Sequence, residues 1–510
     1  MWSDSALTLT VATPLVGAAL VMLVPAAREE SAKVVALVVS IVGFALSLGV
    51  LAGYDFGATG LQYEVDVAWI SAIGANYHVG VDGISLPLFV LSYLLTFLCS
   101  IYAFHHIEEP GRPKAFLALM LVLQTGMAGS FVAFDLVLFF VFWELVLVPM
   151  YFMIGVWGGP RREYAAIKFF LYTLFGSVFM LVAFLALYFG APERTFDIPA
   201  LVEFGRTGAF SRGFQLWAFA GIGIGFAVKV PMWPFHTWLP DAHTEAPTIG
   251  SVLLAGILLK MGTYGFVRIA LPILPEGAIA FAPVIGVLSV IAIVYGALCC
   301  LAQTDLKRLI AFSSVGHMGF VMLGISTLTP IGINAAIFGM IAHGVITGML
   351  FFVVGSLKER YHTRAIADIG GGVLEVMPRM GAVFTFVAIA SLGLPGLAGF
   401  WGEVFALLSA FSPAQALVDN GNLGLYRGLM VVGAIGTVLT AGYFLWMLQR
   451  VSMGRAPERW KDQELGDVSV LEWGAWMPLL VMTLLLGVLP FLVTGITEPA
   501  VDSILRVFAG

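Results

Sequence analysis

Apolar residues come along this chain in long blocks rather than in alternation. From Ala6 to Pro25, and again from Lys33 to Gly53, the sequence runs with scarcely a charge, and similar blocks recur to the C-terminal end between short polar connections. The hydrocarbon core of a bilayer is crossed by roughly 20 residues of α-helix. The pattern therefore predicts an all-α polytopic membrane protein with about fourteen transmembrane helices, near 6–25, 33–53, 84–104, 114–132, 135–157, 164–189, 214–240, 247–270, 279–301, 308–327, 332–356, 380–409, 427–448 and 473–496. The first block lacks the basic leading segment of a secretory signal and is expected to stay as a helix.

Composition sharpens this picture. Of 510 residues, 60% are hydrophobic and 11% charged, and the mean hydropathy of +0.98 lies outside the range of soluble domains. The net charge of -6, with basic residues scattered, excludes a nucleic-acid surface. Cys99, Cys299 and Cys300 all fall in apolar blocks, with neither a disulfide framework nor metal-ligand spacing, so no redox centre is expected.

The connections carry an orientation signal. Basic residues such as Arg28, Arg112, Arg161, Lys307, Arg364 and Arg455 fall on alternate connections, whereas the long loop 54–83 has no lysine or arginine. Positive loops stay cytoplasmic, so both termini are expected on the outer, periplasmic side. The loop 190–213, with Arg194, Arg206 and Arg212, runs against this rule.

Few ionisable residues remain at membrane depth: Glu144, Lys229, Lys260, His317, His343 and Glu403. A lysine at the centre of a membrane helix costs roughly 3 kcal/mol on insertion scales, so each needs a partner, water or a task. Two spans are also interrupted. The first contains Lys229 just before Pro231 and Pro234; the second runs SLGLPGLAGFWGE from Ser391 to Glu403. The interrupted spans stand five apart, and an odd offset inverts direction, which suggests two inverted five-helix repeats, helices 4–8 and 9–13. Breaks at matching places in two halves point to an ion site near the midplane. The corresponding segments are residues 1–110, 114–270, 279–448 and 449–510.

A proton carrier must be both loaded and emptied. Lys229 paired with Glu144 is charged while the carboxylate is near and releases its proton when the pair loosens. Lys260, near the middle of its helix, is the next site; His317 and His343 are the titratable groups between it and Glu403, the last acceptor. The tract HTWLPDAHTEAPT from His236 to Thr248 matches no metal-ligand signature; its acids are expected to cap the following helix.

The tract from Lys229 to Arg268, together with FFVFWELVLVPMYFMIGVWG, QTDLKRLIAFSSVGHMGF and GLPGLAGFWGE, resembles the proton-conducting module shared by the antiporter-like subunits of respiratory complex I and the multisubunit sodium/proton antiporters. The resemblance covers nearly the whole chain. Within complex I it is closest to the chain whose twelfth helix carries glutamate, here Glu403, where its sisters carry lysine, and which ends soon after its fourteenth span. It implies proton translocation coupled to electron transfer in other subunits, with Glu144 and Lys229 as the inner pair, Lys260 as the central lysine, Glu403 as the outer terminus, and His317 and His343 on the axis between. It implies no cofactor in this chain, FMN, iron–sulfur clusters, NADH and quinone belonging to partner subunits. The implied neighbours are other membrane subunits, the sister chains L and N on either side, and lipid, in a bacterial inner membrane. A subunit of a sodium/proton antiporter or of a membrane-bound hydrogenase is the alternative.

Overall fold

The computed structural model describes residues 2–25, 27–58, 60–461 and 463–508. Ala26 in the first connection, Thr59 in the long loop, Asp462 and the end of the C-terminal tail lie outside the described residues. Among the described residues, twelve helices are long and apolar enough to cross a membrane. Two further crossings are made by broken helices, Arg212–Lys229 with Trp238–Glu245, and Pro378–Ser391 with Ala398–Phe411. Each of the fourteen hydrophobic blocks thus has a helix or a broken pair of helices among the described residues.

The arrangement follows from which faces are apolar. The crossings Thr248–Ile273, Leu306–Ser326 and Pro330–Tyr361 are buried along nearly their whole length, and Lys260, His317 and His343 lie on them. Peripheral crossings such as Arg162–Gly190 and Leu423–Val451 instead turn large apolar side chains outward, among them Phe175, Val182 and Val438. In a lipid solvent such a surface is the stable one, so the polar groups are sequestered at the centre.

Helix starts are fixed by side-chain caps. Asp135 accepts from the amides of Val137 and Leu138 at the fifth crossing, Thr329 caps Pro330–Tyr361, and Ser469 with Glu472 forms a capping box at the last crossing. Small residues then let the central helices approach. A β-carbon placed on Gly402 would stand 2.7 Å from the α-carbon of Gly339.

Three elements differ from the expected plain loops and tail. The loop 54–83 contains an antiparallel hairpin, β1 (Gln62–Ile70) and β2 (Ala75–Val81), with Asp66 opposite His78. It is fastened to the start of the fifth crossing, where Phe134 N donates to the His78 carbonyl at 2.8 Å and Asn76 N to Asp135 at 3.0 Å. The loop 190–213 holds a helix, Ile198–Arg206, in which Arg206 is bound by Glu203 at 2.7 Å, so one of the arginines on the sparsely charged side is paired. The last crossing ends at Val488, not 496, because Pro490 interrupts it; a further helix, Phe491–Leu505, follows.

Candidate functional site: a row of buried ionisable groups

The fifth crossing is itself jointed. Its first helix ends at Leu145 and the second begins at Leu147, with Pro149 in its first turn, so Glu144 sits beside a bend. One of its carboxylate oxygens is buried without a hydrogen-bond partner among the described residues. Lys229 ends the helix Arg212–Lys229, and the break that follows it is closed by Trp238, whose indole N–H donates to the Val228 carbonyl at 2.9 Å. The proline break thus leaves Lys229 at a helix end inside the protein.

The expected direct ion pair between Glu144 and Lys229 is not made. The Lys229 ammonium has no hydrogen-bond partner among the described residues; it lies 5.1 Å from the centroid of the Trp143 ring. Trp143 is in turn fixed by a 3.0 Å bond to the Ser177 hydroxyl. An aromatic face offers a desolvated cation on the order of 2 kcal/mol, less than a contacting carboxylate. Glu144 remains within electrostatic reach, so the two residues form a loose pair, with the Trp143 indole against the ammonium.

Lys260 occupies the next position. Its crossing carries two π-helical turns, Leu254–Leu258 and Phe266–Ala270, one on each side of it; such turns widen the helix and free carbonyls. The Lys260 ammonium donates to the Ala255 carbonyl and lies 2.6 Å from His343 Nδ1. Close packing against Lys229 is set by Gly262, where a β-carbon would stand 3.1 Å from the Lys229 β-carbon and 2.9 Å from the Phe226 carbonyl.

Beyond His343 the row continues into the second broken helix. Gly393 and Gly396 take φ values of +82° and +90° in its gap, a conformation natural to glycine. Glu403, on the helix after the gap, receives His317 Nδ1 at 3.0 Å, and His317 Nε2 lies 3.1 Å from the Ser391 hydroxyl. The Glu403 carboxylate thus takes its hydrogen-bond partner from another helix. His317, His343, Thr347, Ser391 and Glu403 all line one cavity of about 30 Å³.

All six residues singled out from the sequence lie in buried or half-buried positions along this row. Three others were not anticipated. His243 is fully buried with neither ring nitrogen partnered among the described residues, stacked on Phe351 at 4.5 Å, within electrostatic reach of Lys260 and Lys307. Lys307 is buried and donates to the Ala246 carbonyl. Thr347 is buried, its hydroxyl without a hydrogen-bond partner among the described residues. Lys307 reads as a loop residue in the sequence, and His243 is hidden among the acids of its tract. Those acids do not cap the following helix, which begins without a side-chain cap. Asp241 holds Lys168 at 2.7 Å, and Glu245 lies 3.9 Å from Arg161 and 3.8 Å from Arg364. They tie the broken seventh crossing to the basic connections.

A row of buried carboxylate, amine and imidazole groups, linked through two helix breaks, defines a membrane protein that moves a small cation through its centre. Residues 133–418 match the family described as NADH:quinone oxidoreductase/Mrp antiporter, TM. The NADH-quinone oxidoreductase subunit M of Rhodobacter capsulatus is 44% identical, over 97% of this chain and 95% of that one. The NAD(P)H-quinone oxidoreductase chain 4 1 of Nostoc sp. is 41% identical over 96% and 89%. A chain of respiratory complex I from Thermus thermophilus superposes with a TM-score of 0.87 at 28% identity, covering 99% of this chain and 100% of that one. The Mrp complex from Dietzia sp. shares the fold, with a TM-score of 0.84 at 20% identity. The chain belongs to the subunit M, or chain 4, family of the NADH-quinone oxidoreductases.

Proposed function

We propose that this chain translocates protons through Glu144, Lys229, Lys260, His343, His317 and Glu403. It does so as a membrane subunit of NADH:quinone oxidoreductase, while NADH oxidation and quinone reduction take place on the FMN and iron–sulfur centres of partner subunits. The observation that carries this reading is the buried row itself. Four charged side chains kept at membrane depth are expensive unless they have a task, and Lys260 and His343 sit within proton-transfer distance.

On this reading a change in a neighbouring subunit draws Glu144 away from or toward Lys229. With the carboxylate near, Lys229 is held as an ammonium; with it away, the indole alone holds the charge less well and the proton passes on to Lys260. The basic side of the chain is the cytoplasm and the hairpin side the periplasm, so both termini face outward. Helices 4–8 and 9–13 are inverted repeats that each contribute one break, and the sister chains L and N flank the subunit within the bacterial inner membrane.

The Mrp likeness rests on fold at lower identity, whereas the relatives at about twice that identity are quinone oxidoreductase subunits. Purifying the membrane assembly that contains this chain separates the two. The account expects flavin and iron–sulfur subunits to copurify and NADH with quinone to drive acidification inside liposomes. Sodium-dependent proton exchange without a response to NADH moves the chain to an antiporter, and nickel in the assembly moves it to a hydrogenase.

A further inference from the structure

The crossing that holds Lys260 carries a second buried cation. Lys260, Tyr264 and Arg268 follow at intervals of four, so they share one face of the helix, and all three are buried. From Lys260 this face runs toward the hairpin side, where Arg268 stands about 12 Å further along, in the second π-helical turn, Phe266–Ala270.

Arg268 is held from several sides. Its guanidinium donates to Asp82 Oδ2 and, through Nε, to the Tyr264 hydroxyl at 3.3 Å. Tyr264 donates in turn to the Phe131 carbonyl at 2.9 Å, and the Phe134 ring covers the guanidinium at 4.9 Å. The other oxygen of Asp82 accepts from the amides of Ile84 and Ser85, each at 3.0 Å, where the third crossing begins. Beyond the pair lies a cavity of about 180 Å³ whose wall includes Asp82, Phe134, Arg268 and Pro272. Pro199 and Ser503, also in its wall, are exposed, so the cavity opens on the hairpin side. One water needs roughly 10–15 Å³ of such space, so there is room for water up to the pair. Backbone closes the flank: a β-carbon on Gly83 would stand 2.0 Å from the Ile496 carbonyl oxygen, on the helix Phe491–Leu505.

We propose that the Arg268–Asp82 pair is a seal. It bars the direct way from Lys260 to the hairpin side, so that a proton on Lys260 leaves sideways through His343. The proposal rests on the proton-translocation reading and deepens it. An arginine keeps its proton and offers no acceptor atom, so it cannot relay one, and both oxygens of Asp82 are already engaged. Arginines exclude protons from water-conducting pores on the same principle. A lysine open to both sides of the membrane at once would dissipate the gradient it helps to build, and Arg268 closes one of those sides.

The test measures passive leak. The complete complex is reconstituted in liposomes without NADH, the membrane potential is clamped, and the decay of an imposed pH gradient is followed, with assembly checked on native gels. Arg268→Ala empties the seal and leaves Asp82 as a free acceptor; it is expected to speed the decay at least fivefold. Asp82→Asn keeps the filling but loosens its hold, and is expected to speed it at least twofold. Adding Lys260→Met to Arg268→Ala removes the group from which the leak draws, and should bring the decay back within twofold of the unmodified complex. Decay at the unmodified rate in Arg268→Ala and Asp82→Asn overturns the seal and leaves the pair as a structural tie; should Arg268→Ala fail to assemble, a tight Asp82→Asn complex does the same. A leak that Lys260→Met does not cure also overturns it, because the protons then pass elsewhere. The underlying reading fails separately: with Lys260→Met alone, an unchanged number of protons per NADH removes it.

Discussion

The ammonium nitrogen of Lys260 and Nδ1 of His343 stand 2.6 Å apart on two helices, 83 residues apart in sequence. A charged lysine donates to the imidazole, and a neutral one accepts from it, so the contact survives either proton position. The chemistry demands a group that gives its proton up. Lys260→Arg keeps the charge but never releases the proton, and both it and Lys260→Met are expected to lower proton pumping at least tenfold. Pumping by Lys260→Arg near the unmodified rate would mean that Lys260 supplies only a fixed charge.

The Glu144 and Lys229 pair makes a second prediction. Because Trp143 already shelters the ammonium, removing the carboxylate does not leave Lys229 wholly unsupported, and the fold is expected to tolerate Glu144→Ala. The protons that this chain moves per NADH should nonetheless be lost in Glu144→Ala and Lys229→Ala, with the complex assembling in normal amount on native gels. A Glu144→Ala complex that fails to assemble would assign the residue to structure.

A pH dependence is expected at the hairpin. His78 is buried between Asp197 at 2.6 Å and Glu64 at 2.9 Å, with Asp66 nearby. Burial pulls its proton affinity down, but the bond and charge of Asp197, the bond to Glu64 and the charge of Asp66 outweigh this, and the ring titrates above its ordinary value of 6.5. A raised folded pKa stabilises fully below 6.5, and that contribution fades as pH rises through the folded value. Hydrogen exchange across Gln62–Val81, corrected for intrinsic rate, should therefore quicken as pH climbs from about 6 to 8. His78→Gln should flatten the dependence; an unchanged slope would show that the ring does not fasten the hairpin.

Assembly and transport should separate at a different ion pair. Arg360 binds Glu472 through two bonds of 2.8 and 2.7 Å, joining the end of Pro330–Tyr361 to the start of the last crossing, where the Glu472 side chain is fully buried. Breaking such a pair from one side strands a buried charge and costs on the order of 3–5 kcal/mol. Glu472→Ala is expected to lower the thermal unfolding temperature of the purified complex and its yield, with pumping per intact complex retained. A stable complex that does not pump would place Glu472 in the proton route instead.

Most of the membrane architecture was legible because lipid imposes a simple rule. Any stretch of about 20 residues must be apolar and helical, so each crossing, each break at Pro231 and Gly393, and each buried charge stands out from a greasy background. The hairpin was missed because the membrane pattern says nothing of its outer segment, although the alternation in Tyr63–Trp69 is strand-like. Pro490 likewise marked the end of the last crossing. Thr347 and His243 were illegible for a different reason. A threonine or histidine in a helix gains meaning only when its neighbours on other helices leave it without a partner, and that is a property of packing.

The central claim is that this chain carries protons when NADH is oxidised elsewhere in the complex. The most direct measurement follows internal pH in liposomes holding the complete complex as NADH and quinone are added, with NADH consumption recorded in parallel, for the unmodified protein and Lys229→Ala. The account predicts acidification in the first and none attributable to this chain in the second, with fewer protons moved per NADH. An unchanged number of protons per NADH in Lys229→Ala would contradict it.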